Sequence, residues 1–336
     1  MVSELRSATM VPWLPRRIKD ALARLAVPFV RKYLAGIPSV RVREMVWNRL
    51  VGPHLWWRDF DFTARTSFGM KIVGNTSDPI QKFICYFGVW EPNLTAWIAE
   101  RLRPGDVFVD VGANIGYFSL LASKLVGEKG RVVAIEASPE VFGLLRRNLE
   151  LNATRNVRAV NVAISDREGC VQLYSAPGHD SGRTTAAQSW AEEQHFTASS
   201  KVRAFPLPAV LHEEEIRAAR VIKIDVEGYE WQVVSGMAEM LKACRPDVEI
   251  MVEVTPLVLR AQGKSCEDLL RIFAPLGFDA YRINNDYSPM RYLSSKRPDR
   301  PLRVRDSNLT DQEDLIFSRV DADSIQEKDH LRQTNA

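Results

Sequence analysis

Short apolar runs alternate with amphipathic stretches through the central part of the chain. The runs are rich in Val and Ile, which is typical of strands that a parallel sheet buries on both faces. Between them, apolar residues recur every three or four positions, which predicts helices. We predict strands at 107–111, 131–136, 157–163, 220–225 and 248–254, and helices at 116–126, 139–151 and 229–242. This order predicts an α/β fold, a doubly wound (Rossmann-like) sheet with helices on both faces.

The N-terminal region follows different patterns. Residues 16–34 place apolar side chains at helical spacing with basic residues between them, which predicts an amphipathic helix, interrupted or kinked by Pro28. The apolar positions are Ile18, Leu22, Leu25, Phe29 and Tyr33. A second helix is predicted across 40–50, and the alternating segment 59–74, with its glycine turn, predicts a β-hairpin.

The remaining segments complete the expected organisation. Residues 175–200 are polar, so we expect a loop or lid over the carboxyl edge of the sheet. Toward the C-terminus we predict a helix at 264–275, a strand near 278–283, a basic loop and a last strand near 314–319. The expected domains are a helical and hairpin extension over 1–80, an α/β domain over 81–320 and a flexible tail over 321–336.

The segment PGDVFVDVGANIGYFSLLAS, residues 104–123, carries the clearest chemical signal. An apolar strand runs to Asp110, a glycine-bearing turn follows, and an apolar helix begins near Tyr117. Gly112 and Gly116 let the backbone bend sharply and approach a ligand. The free N–H groups of the helix start lie behind them. The segment therefore predicts a nucleotide or nucleoside at the carboxyl edge of this strand.

The details of this turn select the ligand. A dinucleotide site has the pattern G-x-G-x-x-G, but Asn114 stands where the second glycine belongs, which argues against a NAD-dependent oxidoreductase. Asp110, just ahead of the glycines, suits the ammonium group of a methionine moiety, held directly or through water. Glu136 closes the second strand and can accept both ribose hydroxyls. The sequence therefore predicts S-adenosylmethionine as the cofactor.

A second cluster of charged residues follows the fourth predicted strand. Lys223 falls within that strand, where a buried ammonium needs a carboxylate partner such as Asp225 or Asp110. Asp225 ends the strand, and Glu227 and Glu230 fall in the first turn of the next helix. Methyl transfer to a hydroxyl needs a base, so Lys223, Asp225 and Glu227 are the candidate catalytic residues. The structural alternative is a helix cap and one ion pair.

Other residues extend this hypothesis. Glu253 ends the next strand and is a further candidate base. Asp225, Glu227 and Glu253 together have the oxygen donors for a divalent metal, which is a second alternative. His179 and His195 lie in the polar insertion, either as bases or as solvated loop residues.

Five stretches, in order, resemble the FkbM-type methyltransferases. They are GVWEPNLTAWI (88–98), GDVFVDVGANIGYFSLLAS (105–123), VVAIEASP (132–139), NVAISD (161–166) and VIKIDVEGYEWQVVSGM (221–237). The resemblance implies a class I methyltransferase fold, with a seven-stranded, mostly parallel sheet and one antiparallel strand. It also implies S-adenosylmethionine and O-methylation of a sugar, a lipid-linked glycan or a secondary metabolite. The first 75 residues lie outside the matched stretches, so the acceptor does not carry over.

The resemblance extends the expected cofactor site to Glu91, Ala137 and Ala163. Glu91, between Trp90 and Pro92, is expected to contact the cofactor or the acceptor. The alternative is a helix start with Pro92 at its first position.

Several other functions remain as alternatives. A methyltransferase acting on nitrogen usually carries D/N-P-P-Y/F after the fourth strand, but this chain reads DVEG there. A non-catalytic Rossmann-like binding protein is opposed by the intact Asp110, Gly112, Gly116 and Glu136.

Charge is distributed unevenly along the chain. The first 50 residues carry ten Lys/Arg and three acidic residues, a net charge of +7, whereas the whole chain has +3. The remainder is therefore at −4 and offers no basic stripe for nucleic acid. The basic helix at 16–34 suggests peripheral contact with an anionic membrane, or else packing on the catalytic domain or in a homo-oligomer.

The N-terminus and the cysteines indicate the expected compartment. No signal-peptide core and no apolar stretch of about 20 residues is present, so we expect a cytoplasmic protein without a membrane span. Four scattered cysteines, without metal-like spacing, fit a reducing compartment.

Overall fold

A computed structural model of the chain describes residues 15–176, 184–294, 297–304 and 312–320. The chain divides into two compact units. Unit 1 comprises Met1–Pro92 and Asp286–Arg297, and unit 2 comprises Asn93–Asn285 and Pro298–Ala336. This division falls later than the expected boundary at residue 80, and it adds a C-terminal segment to unit 1. The expected tail at 321–336 lies outside the described residues.

Helices and strands alternate along most of the described chain. The helices are α1 (Arg16–Gly36), α2 (Val40–Val46), α3 (Gly52–His54), α4 (Pro79–Phe87), α5 (Pro92–Arg101), α6 (Tyr117–Val126), α7 (Pro139–Leu151), α8 (Gln188–Glu193), α9 (Leu207–Val210), α10 (Glu213–Ala218), α11 (Glu230–Met237), α12 (Pro256–Ala261), α13 (Cys266–Phe273) and α14 (Pro289–Leu293). A π-helix (Trp47–Val51) follows α2, and 3₁₀ helices follow α11 (Ala238–Lys242) and α13 (Ala274–Leu276). The strands are β1 (Asp61–Arg65), β2 (Lys71–Asn75), β3 (Val107–Val111), β4 (Arg131–Ile135), β5 (Val157–Val160), β6 (Ala163–Ile164), β7 (Gly169–Ser175), β8 (Thr184–Thr185), β9 (Thr197–Phe205), β10 (Ala219–Ile224), β11 (Glu249–Val254), β12 (Asp279–Ile283), β13 (Leu302–Arg303) and β14 (Glu313–Ser318).

Unit 1 is built from helices around one hairpin. The predicted hairpin is confirmed, because β1 and β2 pair antiparallel. The predicted first helix is confirmed as α1, but it continues through Pro28 without interruption. Aromatic rings form much of the core of this unit, with Trp56 lying 5.2 Å from both Trp47 and Phe83 between ring centroids. Within the described ranges, none of the helices combines the length and the apolarity needed to cross a bilayer.

The main sheet of unit 2 has eight strands in the order β13-β12-β14-β11-β10-β3-β4-β5. The five strands from β11 to β5 run parallel, and β14 runs antiparallel to both of its neighbours. The predicted seven-stranded sheet with one antiparallel strand is therefore confirmed. The two-residue strand β13 adds an eighth strand at one edge.

Burial explains the apolar runs of the sequence. Every residue of β3, β10 and β11 is buried, as expected for central strands covered on both faces. Helices α11 and α13 contribute to the core, where Phe273 stacks on Phe317 of β14 at 3.8 Å between ring centroids. The predicted helix at 229–242 is divided into α11 and a 3₁₀ turn. All four cysteines are free thiols.

A second sheet replaces the loop that we expected at 175–200. Strands β6, β9, β7 and β8 form a four-stranded sheet in that order, with α8 between β8 and β9. The loop prediction was wrong over the described part of this segment. Its polar composition reflects exposure instead, because much of β9 is solvent-exposed and only one of its residues is fully buried. Residues 177–183, including His179, lie outside the described ranges.

The order of the strands locates a crevice. From β3 the chain moves outward through β4 to β5, then returns to β10 on the other side of β3. Such a reversal leaves a crevice between the turns that follow the two central strands. Ligands of open α/β sheets bind in this crevice, at the carboxyl ends of the strands. We therefore expect the ligand site at the turns that follow β3 and β10.

Candidate active site

The turns after β3 and β10 are in direct contact. The backbone N–H of Asp225 donates to the carbonyl of Val111 at 3.0 Å. Gly112 has φ +81°, and a Cβ added there would lie 1.8 Å from the carbonyl oxygen of Asp225. We expected Gly112 to allow close approach of a ligand. The structure shows a different reason: glycine is required because the backbone of the neighbouring turn occupies that space.

The next residues of the turn are held by a carboxylate. Asn114 adopts a left-handed conformation, with φ +51°, which asparagine tolerates better than most residues. Its backbone N–H donates to Glu136 Oε2 at 2.9 Å. Gly116 precedes α6 with φ +92°, and a Cβ there would meet the Leu145 side chain at 2.6 Å. The loop between β3 and α6 is thus fixed to β4 and α7.

Glu136 is buried and accepts two backbone hydrogen bonds. Besides Asn114, the N–H of Ser138 donates to its Oε1 at 2.9 Å. Burial raises the pKa of Glu136 to about 7, against the lowering effect of the two N–H donors. Each carboxylate oxygen keeps a further lone pair. The residue therefore fits the predicted role of accepting the hydroxyls of a ribose.

The two alanines of the predicted cofactor site lie in different surroundings. Ala137 is half-buried, and its carbonyl accepts from the side-chain amide of Asn161 at 3.0 Å. Ala163 is buried in β6, where it pairs with Ala204 of the second sheet. Contact of either alanine with the cofactor stays a prediction.

Asp110 lies beneath the glycine turn, with no exposed surface. Ser119 Oγ donates to its Oδ2 at 2.6 Å, and Lys223 Nζ lies 3.8 Å from its Oδ1. Burial raises the pKa of Asp110, and the nearby lysine opposes this effect. The role of Asp110 in binding the methionine end of the cofactor, directly or through water, stays a prediction. Ser119 was not predicted; its signal is a serine at a buried position of the apolar helix α6.

Lys223 has the carboxylate partners that its predicted burial required. Its side chain is 2% exposed, and Nζ donates to Asp225 Oδ2 at 2.8 Å. The same ammonium lies 5.2 Å from the centroid of the Phe118 ring. The predicted role of Lys223 as a base stays a prediction. Its partner Asp225 has a side chain that is 26% exposed.

Glu230 lies in the first turn of α11, as predicted, but Glu227 does not. Glu227 lies in the turn before α11 with φ +54°, so its predicted place in the first helical turn was wrong. Its carbonyl accepts from Thr185 Oγ1 of β8 at 2.6 Å. Glu230 begins α11, and its Oε1 accepts from the N–H of Gly228 at 2.9 Å. Burial raises the pKa of Glu230 to about 7. The turn before α11 is thus held by the carboxyl of Glu230, the first residue of that helix.

Two more carboxyls face each other beside this turn. Glu253 of β11 pairs in register with Asp314 of β14, whose carboxylate accepts from the side-chain amide of Asn285. In the parts of the chain that the structure describes, Glu253 Oε2 is buried and has no hydrogen-bond partner. Burial and then the charge of Asp225 raise the pKa of Glu253 well above its usual range, and the same causes raise the pKa of Asp314 to about 7. Asp314 was not predicted, because only strand pairing brings it here.

The metal alternative finds no support in the arrangement of these acids. Among residues 15–176, 184–294, 297–304 and 312–320, no group of three or more His, Cys, Asp or Glu side chains is placed to hold a metal ion. Asp225, Glu227 and Glu253 do not make up such a group, and a divalent metal stays the alternative that the sequence left open. His195 is exposed after α8, and its role as a base stays a prediction.

Glu91 belongs to unit 1. Its Oε1 accepts from the hydroxyl of Tyr287 at 2.8 Å, and the Tyr287 ring stacks on Trp90 at 5.2 Å between centroids. It has φ +42°, and α5 begins at the following Pro92, as the alternative expectation had it. Contact of Glu91 with the cofactor or acceptor stays a prediction.

A family model and several known proteins that are similar to this chain are methyltransferases. The family model described as the methyltransferase FkbM domain matches residues 110–280, half of the chain. Hexuronic acid methyltransferase AglP from Haloferax volcanii is 26% identical over 200 residues, covering 58% of this chain and 78% of that protein. A probable cobalt-precorrin-6B C(15)-methyltransferase from Sulfolobus acidocaldarius is 43% identical over 70 residues, covering 21% of this chain and only 36% of that protein. The crystal structure of methyltransferase FkbM from Methylobacillus flagellatus KT has 15% identity and a TM-score of 0.37, covering 71% of this chain and 52% of that one.

The matched residues contain the parts described above. They begin at Asp110 and include the turn after β3, the acid-rich turn after β10 and Glu253 of β11. The chain therefore belongs to the FkbM methyltransferase family and is an S-adenosylmethionine-dependent methyltransferase.

Proposed function

We propose that this enzyme methylates a hydroxyl oxygen of a sugar, glycolipid or secondary-metabolite acceptor, with Asp225 as the base. The observation that carries the proposal is the position of the Asp225 carboxylate. It ends β10 beside the turn after β3, and it is the accessible member of a pair whose buried member is Lys223. The relative from Haloferax volcanii, whose name gives a hexuronic acid as its substrate, supports a sugar acceptor.

The chemistry requires a base and an oriented hydroxyl. S-adenosylmethionine supplies, when bound, an electrophilic methyl group and a sulfonium leaving group. Asp225 would accept the proton of the acceptor hydroxyl as that oxygen takes up the methyl group. Lys223 binds one carboxylate oxygen of Asp225 and leaves the other for the acceptor. Positioning of this kind contributes to the rate because it removes the need to align the two groups during reaction.

The other acids of the site favour a neutral acceptor. Asp225 and Glu227 lie close enough to Glu253 for their charges to raise its pKa. A carboxylate on the acceptor would face the same two residues as a like charge. We therefore expect neutral glycosides to be better substrates than uronic acids.

A transfer assay tests this function. The enzyme is incubated with labelled S-adenosylmethionine and matched pairs of glycosides, one neutral and one oxidised to the uronic acid. We expect label in a methyl ether, with kcat/KM about tenfold higher for the neutral member of a productive pair. A glycoside whose reactive hydroxyl is already blocked serves as the control and should take up no label. Label recovered on nitrogen or carbon would contradict the proposal.

The proposed role of Glu136 predicts that cofactor affinity depends on pH. Its pKa is about 7 without ligand, and ribose hydroxyls donate to the charged form, so binding should strengthen as Glu136 loses its proton. The Kd for S-adenosylhomocysteine should fall about tenfold between pH 6 and pH 8, since the charged fraction rises by that factor. Isothermal titration calorimetry at a series of pH values measures this change.

Two variants separate Glu136 from other titrating groups. Glu136→Gln should bind more weakly at high pH and lose most of the pH dependence. Glu230→Gln, which removes another carboxyl whose pKa is about 7, should keep the dependence. An unchanged slope in Glu136→Gln would mean that another group controls binding.

A further inference from the structure

The apolar stripe of α1 is exposed to solvent. Its five residues, Ile18, Leu22, Leu25, Phe29 and Tyr33, are 45–75% exposed, with Phe29 the most exposed of them. The same helix packs against the rest of unit 1 through another set of apolar residues, namely Ala23, Val27 and Leu34. At 100° per residue, these two sets lie on nearly opposite sides of the helix. Packing of Phe29 and Tyr33 on the catalytic domain, or in a homo-oligomer, stays the alternative prediction.

Exposed apolar side chains are concentrated in unit 1. Of the large hydrophobic residues that are exposed in the described ranges, most belong to this unit, although it is the smaller of the two. Besides the stripe they include Val42, Met45, Leu50 and Trp57. A concentration of this kind marks an interaction surface rather than ordinary surface apolarity.

The charge of the same helix limits what the surface can bind. Helix α1 carries six Lys/Arg residues and one acidic residue, Asp20. Arg16 pairs with Asp59, but Arg17, Arg24 and Lys32 are exposed beside the stripe. A second copy of the chain would bring the same positive charge to the contact, since a two-fold interface uses one patch twice. An anionic lipid surface brings the opposite charge.

A cavity of about 730 Å³ lies next to the stripe. Its lining includes Leu25 and four basic side chains, Arg24, Arg31, Lys32 and Arg65, above the apolar Phe60 and Phe62. Arg31 is held in place, because its guanidinium donates to the backbone carbonyls of Cys85 and Arg65. Guanidinium and ammonium groups over an apolar floor suit the phosphate and glycerol of a phospholipid headgroup.

We propose that α1 lies in the interface of an anionic membrane, with the stripe among the acyl chains and Arg17, Arg24 and Lys32 at the lipid phosphates. The helix is amphipathic, of low mean hydropathy and rich in basic residues, which is the composition of helices that lie in the membrane plane. Pro28 does not oppose this placement, because α1 is continuous through it and is supported by unit 1 along its other face. The proposal is independent of the acceptor.

Co-sedimentation of the full chain with vesicles tests the proposal. We expect binding to vesicles of phosphatidylcholine mixed with phosphatidylglycerol, weak binding to phosphatidylcholine alone, and release as salt rises. Replacing Arg17, Arg24 and Lys32 with glutamine should lower the partition coefficient by about a hundredfold, since each basic residue contributes about fivefold. Equal binding to both kinds of vesicle, or binding that salt does not weaken, would overturn the proposal.

Matched variants separate the stripe from general surface apolarity. Leu22→Glu with Phe29→Glu should abolish vesicle binding. Leu257→Glu is the control, because Leu257 of α12 is as exposed as Leu22, both at 52%, but belongs to unit 2. Methyl transfer to a water-soluble acceptor and circular dichroism should be unchanged in the stripe variant. If the intact chain binds no vesicles and Leu22→Glu with Phe29→Glu converts a dimer to a monomer, the surface is an oligomer contact and the proposal fails.

Discussion

Asp225→Asn is expected to lower kcat by about 100- to 10,000-fold, the range that a positioned general base contributes. The amide keeps the shape of the side chain and an oxygen for Lys223, but it cannot take the acceptor's proton. Because Asp225 is not placed among the proposed cofactor ligands, Kd for S-adenosylhomocysteine should change by less than about threefold. Single-turnover methyl transfer and calorimetry measure the two quantities on the same preparation.

Loss of the ion pair is the competing explanation for such a result. Lys223 is buried, so an uncharged partner removes a carboxylate at 2.8 Å and leaves that of Asp110 at 3.8 Å. Urea unfolding of Asp225→Asn measures that cost. Adding Lys223→Met should recover stability without recovering turnover if Asp225 is the base. Recovery of turnover in the double variant would assign Asp225 a purely structural role.

Two further variants locate the base within the cluster. Glu227→Gln should retain most of the wild-type rate, because the backbone of Glu227, rather than its carboxylate, makes the described contact with Thr185. Glu150→Gln, at an exposed position of α7, is the control for a lost surface charge. If Glu227→Gln is inactive and Asp225→Asn is not, the base is Glu227.

Gly112→Ala is expected to destabilise the protein by more than about 3 kcal/mol. A Cβ would lie 1.8 Å from the Asp225 carbonyl, and φ at this residue is +81°. The neighbouring atom is backbone, so relief of the clash requires one of the two turns to move away from the other. Since both turns belong to the proposed site, cofactor affinity should fall together with stability. Urea unfolding and calorimetry are the measurements.

Another glycine provides the matched control. Gly143 lies in the exposed part of α7, and a Cβ added there meets no atom within 4 Å. Gly143→Ala should therefore stabilise the protein, by about 0.5–1 kcal/mol, through helix propensity and chain entropy. A Gly112→Ala variant with wild-type stability would show that the two turns are not held in contact.

The pattern of apolar residues was enough to predict the central strands, because a strand that is buried on both faces has a continuous apolar sequence. Strand β3 and helix α7 have the predicted bounds, β10 is displaced by one residue at both ends, and β11 begins one residue later than predicted. The carboxylate partners of Lys223 were also predictable, since a charge within such a strand cannot be buried alone. The glycine turn was recognised, although its closeness to Asp225 was not, because the contact joins residues more than a hundred positions apart.

The sequence by itself determined the family, the parallel core and the residues gathered at its carboxyl edge, because each depends on spacing within a short segment. Tertiary structure alone decided which distant residues join them. Asp314 meets Glu253 only through antiparallel pairing of β14 with β11. The segment after β7 became part of a sheet because β9 pairs antiparallel with β7 and parallel with β6. Helix α1 shows the same division: periodicity predicts an apolar stripe, but packing of Ala23, Val27 and Leu34 against unit 1 decides that the stripe faces outward.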